Sequence, residues 1–204
     1  MRSTGSFVAK NLVERTDVEA NNLEEEEPKY RWWVPISLTD AVEGNFDDNN
    51  TQPRVWLSPE RADATLATAF DADAWVVANI QSTGFFRVNY DERNWQLLAA
   101  QLRRDHEVIH VLNRAQLISD AFALATVNVL PYTTAFNLIQ YLDNEDHHVP
   151  WTSALKSLSS LGLHLQQTAH YGRYQVRIID KIHSSQSWRS DQGVLTTAWS
   201  CRNN

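Results

Sequence analysis

Five consecutive residues, His106-Glu107-Val108-Ile109-His110, match the His-Glu-x-x-His pattern letter for letter. On a helix, two histidines four residues apart share a face and can hold a zinc ion, while the glutamate activates a zinc-bound water. The surroundings do not supply the rest of such a site. A catalytic zinc takes a third protein ligand. The carboxylate that commonly provides it would fall at Val129, and no Glu stands between Glu107 and Glu145. In the other common arrangement a glycine and a histidine would stand where this chain has Asn113 and Gln116. Asp105 and Asn113 are cap-forming residues that bracket the motif. They predict an inter-helix connection, on which His106 and His110 need not face one way.

The remaining candidates are weaker. His147 and His148 are adjacent, which suits a polar loop better than a shared metal. Cys201 is the single cysteine, so it has no internal disulfide partner and forms no cysteine-rich zinc site. No Gly-x-Ser-x-Gly elbow and no glycine-rich phosphate loop occur in a chain with 6 Gly. Asn49-Asn50-Thr51 is a formal N-glycosylation triplet in a polar stretch. No catalytic, cofactor-binding or metal-ligating residue is therefore assigned, and no cofactor is expected in this chain.

At 204 residues the chain has length for one large or two small domains. A net charge of −7, to which Glu24-Glu25-Glu26-Glu27 contributes, argues against a nucleic-acid surface, which needs clustered Lys and Arg. The acidic run itself reads as a solvated loop. No apolar run approaches the ~20 residues of a membrane-spanning helix. The start, Met1-Arg2-Ser3-Thr4-Gly5-Ser6, has no apolar core of a secretory signal behind it.

The elements that must position these residues change character at Tyr90. Ser6 to Lys10 and Arg31 to Ser37 read as strands, with Pro35 marking an edge or an end. A polar loop from Gly44 to Pro53 leads to Val55-Trp56-Leu57. Trp75, Val76, Val77 and Ile80 predict a buried strand, Ser82-Thr83-Gly84 a tight turn with positive φ available at Gly84, and Phe85, Phe86, Val88 and Tyr90 a second strand. Short strands separated by turns suggest a sandwich, with Trp32, Trp33, Trp56 and Trp75 in its core. Asp91 then sits at a helix N-cap, and Trp95, Leu98 and Leu102 follow at helical spacing over about Glu92 to Arg104. A second helix opens at Asn113 with Gln116 in a capping box. A third follows Pro131, with Phe136, Ile139 and Leu142 on one stripe. A fourth has Pro150 as its first residue and Trp151, Leu155, Leu158, Leu161 and Leu165 behind it. A fifth spans about Tyr171 to His183, with Val176, Ile179 and Ile182 on one face. Short loops favour antiparallel neighbours, and the helix pairs can stack as in an α-solenoid.

Thr83-Gly84-Phe85-Phe86-Arg87-Val88-Asn89-Tyr90-Asp91, followed by Asn94-Trp95, resembles the junction between the β-sandwich and the C-terminal helical domain of the aminopeptidase N family. Tyr30-Arg31-Trp32-Trp33-Val34-Pro35-Ile36, Trp56-Leu57, and Asn113-Arg114-Ala115-Gln116-Leu117-Ile118-Ser119-Asp120-Ala121-Phe122 carry the same resemblance, in the family's order. It runs from about Tyr30 to Ile182. The family consists of zinc metallo-aminopeptidases of the gluzincin type.

The resemblance implies residues 1–90 as a β-sandwich, with 1–29 partly irregular around the acidic loop. It implies 91–190 as the start of the helical C-terminal domain and 191–204 as a divergent tail. It also places His106 to His110 after the sandwich, whereas the family's zinc motif lies in the preceding thermolysin-like domain. The Gly-Ala-Met-Glu-Asn exopeptidase motif is absent, the only Met being Met1. Without metal, activated water or oxyanion donor, the electrostatic part of catalysis has no source here. The chain is thus expected to be a non-catalytic, C-terminal fragment of a zinc aminopeptidase, inactive alone. Its partner is the catalytic domain of the full-length enzyme, and peptide substrate is met only in that context. Family members are commonly extracellular or plasma-membrane-anchored. The other reading is a stand-alone protein-interaction module that kept the scaffold without the chemistry.

Overall fold

The computed structural model describes residues 4–10, 32–60, 63–71 and 73–184. The chain divides into two compact units, Met1–Leu98 and Ala99–Asn204. The acidic run, Tyr30-Arg31, the tail 191–204 with Cys201, and the side chains of Ile179 and Ile182 lie outside the described residues.

Among the described residues the first unit holds six strands in three antiparallel pairs. β1 (Thr4–Lys10) pairs with β5 (Asp63–Asp71). β2 (Val34–Ile36) pairs with β4 (Val55–Leu57), and β3 (Leu38–Asp40) with β6 (Val76–Ala78). In the β2–β4 ribbon, Val34 faces Leu57 and Ile36 faces Val55, while Pro35 and Trp56 lie opposite each other on the other face. Ile36 and Leu57 are buried, and that alternation leaves Trp56 outside. The expected tryptophan core is thus corrected. Trp75 is 4% exposed, but Trp32, Trp33 and Trp56 are 63%, 60% and 52% exposed.

The turn after β6 also departs from expectation. Positive φ falls on Asn79, Gln81 and Ser82 rather than on Gly84. Asn79 clamps Gly84 from both sides: the Gly84 N–H donates to Asn79 Oδ1 (2.7 Å) and Asn79 Nδ2 donates to the Gly84 carbonyl (2.9 Å). A Cβ at Gly84 would stand 2.2 Å from the Phe86 ring, so any larger residue there forces that ring to move. Residues 83–91 are irregular, not a second strand. They keep a strand's alternation all the same. Val88 and Tyr90 are buried, Arg87 and Asn89 exposed, and Tyr90 Oη accepts from the Ala78 N–H (3.0 Å).

The helices follow from Asp91, whose Oδ1 accepts from the Asn94 N–H (2.7 Å) and caps α1 (Glu92–Arg104). Asn94 in turn brackets Val76 of β6, accepting from its N–H and donating to its carbonyl, each at 2.8 Å. α2 spans Val111–Thr126 and ends where Asn128 takes the left-handed conformation that asparagine tolerates. Pro131 is the N-cap of α3 (Tyr132–Leu138), which runs into a 3₁₀ turn over Ile139–Asn144. α4 (His148–Leu165) takes Pro150 as its third residue rather than its first, and α5 covers Tyr171–Ser184.

α2 is the centre of the second unit. Phe136 of α3 meets Phe122 edge-on, with ring centroids 5.6 Å apart, and Ser153 Oγ of α4 donates to the Ala115 carbonyl (2.8 Å). Tyr174 of α5 donates to the Leu158 carbonyl of α4, and Gly162 leaves room for its ring. No helix among the described residues is long and apolar enough to cross a membrane.

Candidate functional site

The five-residue histidine motif lies on the connection between α1 and α2, as its cap-forming neighbours predict. Its residues do separate work. Ile109 is fully buried and anchors the connection. The Glu107 N–H donates to Asp105 Oδ1 (3.1 Å), and its side chain is exposed. His110 is the N-cap of α2, its Nδ1 accepting from the Leu112 N–H (3.3 Å). The cap thus falls on His110 rather than on Asn113, which is buried inside the helix and donates to Gln116 Oε1 (2.9 Å).

His106 turns the other way. Its ring lies 5.8 Å from that of Tyr141, and its Nε2, buried without a hydrogen bond, is 3.9 Å from Glu145 Oε1. With Asp146 these groups form the one cluster among the described residues whose ligand atoms lie close enough to share a metal, all within 4.8 Å of one another. This trio was not legible in the sequence. Glu145 appears there only as the next Glu after the motif, and no spacing rule joins it to His106.

The carboxylate at the heart of the trio is already committed. Glu145 is fully buried, and Arg114 of α2 meets it side-on, with Nε 2.8 Å from Oε2 and Nη2 donating to Oε1 at 3.0 Å. The His147 N–H also donates to Oε1 (3.0 Å). The third guanidinium nitrogen donates to the carbonyls of His106 (3.1 Å) and Ile109 (2.9 Å), and Trp151 Nε1 donates to the Glu145 carbonyl (3.0 Å). A guanidinium occupies the lone pairs a metal would need and places a fixed positive charge beside it. The remaining member, Asp146, is exposed. The donor set fits zinc poorly and fits a structural ion pair well.

Tyr141 completes the cluster. Burial, and next the negative charge of Glu145, push its hydroxyl far above the ordinary tyrosine range, with Arg114 opposing in part. It stays a neutral phenol and is no general base at neutral pH. His147 and His148 stack on each other at 4.7 Å, and His147 caps α4 through Nδ1 to the Val149 N–H (3.2 Å). Arg114, Glu145, His110 and His147 thereby brace the two connections that precede α2 and α4.

Residues 75–200 match the family of the ERAP1-like C-terminal domain. The chain belongs to that family. Human aminopeptidase N is 38% identical over 170 residues, which cover 83% of this chain and 16% of that protein. The thyrotropin-releasing hormone-degrading ectoenzyme of Rattus norvegicus is 37% identical over 158 residues, 78% of this chain and 14% of its own. Aminopeptidase N of Plutella xylostella is 39% identical over 145 residues, 71% and 15% respectively. The resemblance carried by Thr83 to Asp91 and by Asn113 to Phe122 is thereby confirmed as membership of an aminopeptidase family. The chain spans only 14–16% of the length of these relatives. As an ERAP1-like C-terminal domain, the second unit is held by a buried ion pair where its sequence offers an apparent zinc motif.

Proposed function

We propose that this chain is a non-catalytic, C-terminal part of a zinc aminopeptidase that removes N-terminal residues from peptides. It supports and encloses the catalytic domain, its partner within the longer enzyme, and that domain holds the zinc. In this reading the strand pairs of the first unit belong to a β-sandwich, and the helices of the second open a solenoid-like array. The observation that carries the proposal is the match of residues 75–200 to a C-terminal domain whose relatives are several times longer than this chain. The commitment of Glu145 to Arg114 supports it, because the nearest approach to a metal site among the described residues is already filled by a guanidinium.

The test is a chimera in which this chain replaces the matching segment of human aminopeptidase N. A supporting scaffold yields a folded enzyme that still hydrolyses amino-acid anilides. A chimera that folds cooperatively and yet has lost its activity would overturn the proposal.

A further inference from the structure

The loop between β3 and β4 holds the chain's only Asn-x-Ser/Thr triplet, Asn49-Asn50-Thr51, within a 3₁₀ turn over Asp48–Thr51. The loop is built from side-chain bonds, and nearly every polar residue in it takes part. The Asn45 N–H donates to Thr39 Oγ1 (3.0 Å), and Asn45 Oδ1 accepts from the Asp47 N–H (2.9 Å). Asn50 donates to the Asn45 carbonyl (2.8 Å) and accepts from Arg54 (3.1 Å). Asp48 Oδ1 accepts from Gln81 Nε2 (2.8 Å), and Thr51 Oγ1 donates to the Asp48 carbonyl (2.6 Å). Asn49 is exposed, and its amide enters none of these bonds. The acceptor position of the triplet thus carries an amide outside this network, whereas the amides of Asn45 and Asn50 are committed to it.

We propose that Asn49 is an N-glycosylation site. The co-reactant is a lipid-linked oligosaccharide diphosphate. A bond forms between Asn49 Nδ2 and the anomeric carbon of the first sugar, the bond from that carbon to the phosphate oxygen breaks, the lipid diphosphate leaves, and Nδ2 loses one proton. The modification needs an exposed asparagine on a surface loop in a secreted chain, and the geometry meets the structural half of that requirement. The other half rests on the proposed kinship with enzymes such as the one whose name calls it an ectoenzyme.

The experiment expresses the full chain behind a cleavable secretory leader in eukaryotic cells, as wild type and as Asn49→Gln, Thr51→Ala and Thr51→Ser. Wild type runs as a slower species. The amidase that releases N-glycans collapses it to the mobility of the Asn49→Gln variant and leaves aspartate at position 49, read by peptide mass spectrometry. Thr51→Ala abolishes the shift and Thr51→Ser retains it. Asn49→Gln melts like the enzymatically deglycosylated wild type, because the side chain holds nothing in the fold. A secreted wild type without a shift, or a shift that survives in Asn49→Gln, overturns the proposal. Neither readout depends on aminopeptidase activity, so the chimera can fail while the site stands.

Discussion

Arg114 and Glu145 form a side-on ion pair in the interior of the second unit, 31 residues apart in sequence, with both donor–acceptor distances at or below 3.0 Å. Glu145 is fully buried and Arg114 is 6% exposed. The same guanidinium also holds the carbonyls of His106 and Ile109, so one side chain fixes the entry to α2 and, through Glu145, the entry to α4. Helix starts leave backbone N–H groups without intrahelical partners. Here the connections that satisfy them, through His110 and His147, are pinned by a single pair of charges.

Breaking that pair from one side strands the other charge in the interior. Arg114→Ala or Glu145→Ala is expected to destabilise the second unit by about 3–5 kcal/mol. The double variant Arg114→Met, Glu145→Leu loses much less than the sum, because no lone charge is left behind. Urea denaturation of wild type, Arg114→Met, Glu145→Leu and the double variant, treated as a double-mutant cycle, measures the coupling. Additive losses would show that the two residues act separately.

Tyr141 sets a pH dependence with a definite sign. Its folded pKa lies above the unfolded value near ~10, with burial as the main cause and Glu145 next. The neutral phenol therefore contributes stability that is complete below the unfolded pKa and is lost as pH rises past it, since the unfolded chain then releases the proton first. Tyr174 is raised in the same direction, chiefly by burial. Stability against urea is expected to be flat between pH 7 and pH 9 for these two groups and to fall in more alkaline solution. Tyr141→Phe removes part of that fall, and an unchanged slope in this variant would contradict the assignment.

Much of the helical half was legible because helices advertise themselves locally. Asp91 caps α1 as its type and position predict, and the span Glu92 to Arg104 needed only the spacing of Trp95, Leu98 and Leu102. The β half was less so. Trp32, Trp33 and Trp56 look like core residues by type, but their burial depends on which sheet face is covered, and period-two alternation does not say which. Phe85 to Tyr90 has strand alternation without a strand, because the clamp of Asn79 on Gly84 turns the chain first. The Arg114–Glu145 contact is long-range, and no local rule joins an arginine in one helix to a glutamate past the end of another. The histidine motif was readable as a connection through Asp105 and Asn113, although the cap itself fell on His110.

The Asn79 clamp makes a prediction of its own. Asn79 is buried, sits at φ 62, and makes two hydrogen bonds to one glycine. Asn79→Ala loses both bonds and places a less tolerant residue in the left-handed region, at an expected cost of about 2–3 kcal/mol to the first unit. Asn79→Gly loses the bonds but relieves the backbone, and should cost less. Equal losses for the two variants, compared by thermal melting, would show that the backbone conformation carries no strain.

Apolar surface on α4 and α5 predicts association. Leu163 and Val176 are 67% and 58% exposed, and exposed apolar side chains favour association where they form a patch. The purified chain is expected to self-associate with rising concentration in sedimentation velocity. Leu163→Glu with Val176→Glu should shift it toward monomer without lowering its melting temperature. A wild type that sediments as a clean monomer at every concentration would mean this surface drives nothing.

The isolated chain is expected to show neither aminopeptidase activity nor stoichiometric zinc. His110 is occupied as the cap of α2, and the carboxylate nearest to His106 already pairs with Arg114. The two histidines of the motif therefore offer no preformed three-ligand geometry, and metal affinity without one is weak. The measurement is hydrolysis of amino-acid anilides with added zinc, alongside zinc titration calorimetry, for wild type and for the His106→Ala, His110→Ala variant. Equal, negligible rates and no saturable binding are the expected result. Hydrolysis above background that disappears in the double variant would make the motif a working site, and it would require Glu145 to leave Arg114 when the metal enters. Binding without hydrolysis, lost on His106→Ala alone, would instead assign the ion to His106, Glu145 and Asp146. That outcome would show that the guanidinium yields to a divalent cation, contrary to the electrostatics of a buried ion pair.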